Sequence, residues 1–111
     1  MNQDRVVDFT KTKKQYLTVI LPDEKKTKLS LLTPTKKMLS LLIEFVPNDD
    51  TAPDSEELGT LYGLAAQIMS RNKTGHIISA EYLEDLLDFE DLVVFFTSYT
   101  EFIESVASSK N

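Results

Sequence analysis

The segment Ser70–Glu81, SRNKTGHIISAE, has the outline of a calcium loop, with Gly75 at the sixth place, Ile77 at the eighth and Glu81 at the twelfth. Such a loop needs side-chain oxygens at places one, three, five and often nine, and a bidentate Glu at twelve. Those places hold Ser70, Asn72, Thr74 and Ile78, so Glu81 is the one carboxylate, and Arg71 and Lys73 add repulsion. A single carboxylate is a poor replacement for the hydration shell of a divalent cation. The same residues predict a plain helix–loop–helix corner. Gly75 supplies a positive φ after a helix C-terminus, Ser79 caps the next helix, and Ile77 and Ile78 plug the gap between the two.

Other chemistry is thin. His76 is the only histidine and there is no cysteine, which leaves zinc of the ordinary kind, disulfides and thiolate nucleophiles without ligands or reagents. Glu84, Asp85, Asp88, Glu90 and Asp91 form a dense acidic run. Helical spacing scatters these side chains, and a helix start attracts acids in any case. Three glycines make no phosphate-binding loop. Lysines 11, 13, 14, 25, 26, 28, 36 and 37 lie mostly in turns of a chain with net charge −6 and pI near 4.7, a poor footprint for nucleic acid. The sequence predicts no catalytic, cofactor-binding or metal-ligating residue and no small-molecule substrate.

The elements that would position any site are legible from periodicity. Residues 6–9 (VVDF), 15–22 (QYLTVILP) and 27–34 (TKLSLLTP) look like strands separated by the polar turns TKTKK and DEKK. A first helix is predicted over 35–46, capped by Thr33 or Thr35, apolar around most of its circumference and stopped by Pro47. An acidic linker covers 48–55. A second helix starts at Asp54 or Ser55 and carries Leu58, Leu61, Tyr62, Ala65, Ile68 and Met69 on one stripe. Its Gly59 and Gly63, four apart, suggest close helix contact. A third helix spans 80–88 and a fourth 88–108, with Leu92, Phe95, Phe96, Tyr99, Phe102, Ile103 and Val106 in helical register. Residues 109–111 are expected to fray. The predicted fold is α+β in a single domain over 1–111: a β-rich part (1–34), as an antiparallel hairpin or three-stranded meander, and then a four-helix body over 35–108.

Charge is unevenly placed. Residues 1–48 carry net +4 and residues 49–111 net −10. A bipolar chain can pair with copies of itself, and salt should weaken that pairing. The absence of a long apolar run, an N-terminus without an apolar core, and the lack of cysteine predict a soluble protein of the cytoplasm.

VVDFTKTKKQYLTVILPDEK, then TPTKK, then LYGLAAQIMSRNKTG, then LDFEDLVVFFTSYTEFIESVASSKN resemble the small tail assembly chaperones of long-tailed phages and prophages of Gram-positive hosts. The similarity spans nearly all of 5–111 and is one of residue type and spacing. The ending with Phe96, Tyr99, Phe102 and Lys110-Asn111 and the NKTG corner weigh most. The resemblance implies a protein without catalysis or cofactor. It would coat the tape measure protein, recruit major tail protein, work in the bacterial cytoplasm and be absent from the mature virion. A frameshifted longer form is known in many such proteins. The alternative is a small helical adaptor of a mobile element that binds one host protein.

A chaperone for a helical client needs apolar surface that a monomer does not hide. On that reasoning Leu42, Ile43 and Phe45 of the first helix, or Val93 and Val94 on the off-core side of the fourth, are expected to mediate self-association or client binding.

Overall fold

The computed structural model describes residues 5–45 and 52–109. Four helices follow a two-stranded antiparallel sheet: α1 (Lys36–Phe45), α2 (Ser55–Ser70), α3 (Ala80–Leu86) and α4 (Phe89–Ser108) after β1 (Leu17–Ile20) and β2 (Lys28–Leu31). In the sheet Leu17 pairs with Leu31 and Ile20 with Lys28.

The expected three-stranded meander is not formed. Residues 6–9 make no strand, and Phe9–Lys11 is a 3-10 turn instead. Asp8 starts that turn by accepting a hydrogen bond from the Thr10 amide at 3.0 Å, which bends the backbone out of an extended course. The side chains of Val6, Val7 and Phe9 are exposed, so no packing on this chain rewards a strand there.

The connection between the strands is a built turn. The Asp23 carboxylate accepts from the Thr27 amide (2.8 Å), the Thr27 hydroxyl (2.6 Å) and the Tyr82 hydroxyl (2.7 Å), which ties the hairpin to α3. These hydrogen bonds, those from Thr27 first, hold the Asp23 carboxyl down at about 2. Lys26 takes the left-handed conformation at φ 49° to close the turn.

The far side of β2 is covered by chain from the α2–α3 corner. Leu31 bridges Asn72, the Lys73 amide donates to the Ser30 carbonyl (2.9 Å), and the Leu32 amide donates to the Arg71 carbonyl (3.1 Å). One hydrophobic core joins the layers: Leu21, Leu29 and Leu31 from the hairpin, Leu64, Ala65, Ile68 and Met69 from α2, and Leu92, Phe95 and Tyr99 from α4. Tyr99 is fully buried, and its hydroxyl donates to the Leu32 carbonyl at 2.8 Å.

Capping sets the helix starts. Asp54 and Glu57 form a reciprocal capping box on α2, and Asp88 and Asp91 form another on α4. Thr35 accepts from the Met38 amide at the start of α1, and Ser79 caps α3. Of the expected linker over 48–55, residues 48–51 lie outside the described region, while Asp54 and Ser55 begin α2. In the expected frayed tail, Ser109 is the C-cap of α4 and residues 110–111 lie outside the described region. The Gly59–Gly63 pair supports no close helix contact, since a Cβ on either residue would meet nothing within 4 Å.

Candidate protein-binding grooves

The α2–α3 corner uses its polar side chains on its own backbone. Asn72 is buried, and its amide donates to the carbonyls of Met69 (2.8 Å) and His76 (2.7 Å). Its carbonyl oxygen accepts from the His76 amide (2.9 Å) and the Thr74 hydroxyl (3.1 Å). The Ser70 hydroxyl accepts from the Ile78 amide at 2.9 Å and donates to the Ile78 carbonyl at 3.0 Å. Asn72 and Ser70, which would sit at the third and first places of a calcium loop, are therefore the pins of a turn. Gly75 takes φ 75° as the corner requires, and Ile78 is buried, but Ile77 is exposed and plugs nothing. His76 is on the surface. In the acidic run, Asp88 and Asp91 are engaged in the α4 capping box, and Glu84, Asp85 and Glu90 face solvent.

Apolar surface instead collects on both flanks of α4. Its buried stripe is Leu92, Phe95, Phe96 and Tyr99, with rings of Phe95 and Phe96 5.4 Å apart and Phe95 and Tyr99 6.0 Å apart. At about 100° per residue, Val93 and Val94 fall on opposite sides of such a stripe. Both are exposed, Val93 at 48% and Val94 at 64%.

Each valine lines a groove. Val93 lies with Phe89, Phe96 and Leu61 in a trough between α2 and α4 of about 330 Å³, whose polar rim includes Thr100 and Glu101. Val94 lies with Leu87 and Phe95 in a cleft of about 320 Å³ between α4 and the whole length of β1, with Asp91 on its bank.

No family model, curated protein or solved structure matches the chain. The geometry of α1 bears on the remaining expected contact residues. Leu42 is buried against the core, Ile43 is exposed at 71%, and the side chain of Phe45 lies outside the described region. The first helix thus turns one edge inward, with Met38, Leu39 and Leu41 partly buried, and leaves Ile43 to solvent. Phe89 was missed by sequence reasoning. It is the first residue of α4 and exposed at 46%, and its signal was a helical spacing of four and seven residues to Val93 and Phe96. Among the described residues no helix is long and apolar enough to cross a membrane.

Proposed function

We propose that this chain is a protein-binding module without catalysis, and that it serves as a phage or prophage tail assembly chaperone. Its client is the tape measure protein, an apolar helix of which lies along the trough between α2 and α4. The tail-assembly role rests on the resemblance in residue type and spacing, and the protein-binding role is supported by the trough: Leu61, Phe89, Val93 and Phe96 give it an apolar floor beside a helix about 30 Å long by its rise per residue. Recognition of this kind places the apolar face of one helix into a groove of the partner and needs no reacting group. Binding of major tail protein, action in the bacterial cytoplasm and absence from the mature virion follow from the same resemblance.

The test is a pull-down with a tape measure protein, sought as a very long, helix-rich product among the neighbouring genes. A carboxylate introduced by Val93→Asp would be desolvated in the complex, so binding should weaken about tenfold or more, while far-UV circular dichroism stays that of the native chain. Undiminished binding by the variant removes the trough from the client site.

A further inference from the structure

β1 has an unused edge. The Leu21 amide donates to the Thr27 carbonyl, and antiparallel pairing alternates along a strand. Leu17 and Val19 therefore bond across to β2, and the backbone groups of Thr18 and Ile20 point away from it. The backbone N–H and C=O groups of Thr18 and Ile20 have no backbone partner among the described residues. The other edge of the sheet is already closed by the bridge to Asn72. The open edge borders the cleft that Val94, Leu87 and Phe95 line. A bare edge over an apolar cleft is a template for one more strand.

The chain also carries a segment that fits. Val6, Val7 and Phe9 are exposed at 80%, 74% and 78%. In an extended strand Val7 and Phe9 share one face and Val6 and Asp8 the other, so the first pair would meet the cleft while Asp8 turned away from Asp91. The charges are complementary. Residues 5–16 hold Arg5, Lys11, Lys13 and Lys14 against the single carboxylate Asp8, whereas residues 74–109 hold eight carboxylates and no Lys or Arg. Gln15 donates to the Ser109 hydroxyl at 3.0 Å, which anchors the base of this arm at the C-terminal end of α4. Val94 is fifteen residues back along that helix, about 22 Å away.

We infer that the arm of a second copy fills the cleft. Its Val6–Phe9 segment gives up the exposed turn that Asp8 starts and pairs with the Thr18 and Ile20 backbone as an added strand, Val7 and Phe9 pack on Val94 and Leu87, and its lysines lie over the acidic bank. Reciprocal exchange closes a dimer, and one-way exchange builds longer chains. The site is separate from the trough proposed for the client, so either assignment can fail without the other.

Sedimentation velocity at low ionic strength tests it with Val7→Asp, which spoils the arm, and Val94→Asp, which spoils the cleft. Val7 is exposed in the arm, so its substitution leaves the fold intact. The native chain should associate, and each variant alone should associate about tenfold more weakly or worse, as expected for a carboxylate driven into an apolar site. An equimolar mixture of the two should recover association, because one supplies an intact arm and the other an intact cleft. A native chain that stays monomeric, as it would if the arm folded onto its own cleft, overturns the proposal. So does association by the Val7→Asp chain equal to that of the native one, or a mixture no heavier than its components.

Discussion

Asn72 shows how much one side chain can organise. It is the only buried polar residue among those described, and both ends of its amide are engaged within four residues of itself. Asn72→Ala would leave the His76 amide and two carbonyls without their partners, the Met69 carbonyl in a buried position and the His76 groups in a partly buried one. The expected loss is about 2–3 kcal/mol, read as a lower urea midpoint at unchanged slope; a loss under about 0.5 kcal/mol would mean that water takes over the bonds. Tyr99 gives a pH-dependent counterpart. Burial pushes its hydroxyl up to about 12, against an ordinary value of 10.0. The folded state thus holds a proton that the unfolded chain releases. Its contribution is complete below pH about 10 and is lost as pH rises from about 10 to about 12. Tyr99→Phe should be less stable at neutral pH, since the bond to Leu32 is gone, yet should lose less on going alkaline. Parallel pH profiles of unfolding for the two chains would contradict this. The positions of Gly75 and Ser79 were legible in the sequence because positive φ and N-capping are decided by the residue itself. The sides taken by Ile77 and Ile78 were not, since one residue of register exchanges buried for exposed.

Helices were easier to foresee than strands for the same reason of locality. The capping boxes at Asp54 and Asp88 lie within four residues and announce α2 and α4 directly. A strand needs a remote partner, and nothing within VVDF says that its partner on this chain is missing. The alternation of residues 27–34 was real, but only Lys28–Leu31 found a pairing row. The glycines of α2 carry the prediction at this scale. Gly59 and Gly63 lie inside a helix of 16 residues at negative φ, and an added Cβ meets nothing. Each Gly→Ala change should stabilise the chain by about 0.5–1 kcal/mol through backbone entropy. A stabilised double variant with unaltered sedimentation would show that the glycines serve no contact; a destabilised one would reveal a neighbour that the monomer lacks.

At the scale of the whole molecule, hydrophobic patterning and charge act in opposite directions. The stripe on α4 was legible in the sequence, and so were Val93 and Val94 beside it, because helix geometry alone separates them from it. The burial of Leu42 was not, because it depends on where α2 lies. Charge was legible as a split between halves but not as a consequence, which comes from the contacts: among the described residues the one ion pair is Lys11 with Asp8, at 4.0 Å on the surface. The carboxylates of α3 and α4 make no ion pair among the described residues and repel one another, while the lysines of the arm and hairpin other than Lys11 pair with no carboxylate there and can meet another copy. Added salt screens both effects, with a Debye length of about 10 Å at 0.1 M. The consequences have opposite signs. In dilute solution, where single chains predominate, salt should raise the melting temperature by relieving repulsion within the helical body. At high protein concentration the same salt should shift sedimentation toward lighter species by screening contact between basic arm and acidic bank. A melting temperature that falls with salt in dilute solution would show that attraction within the chain outweighs repulsion. Sedimentation indifferent to salt would leave any self-association to apolar contact alone.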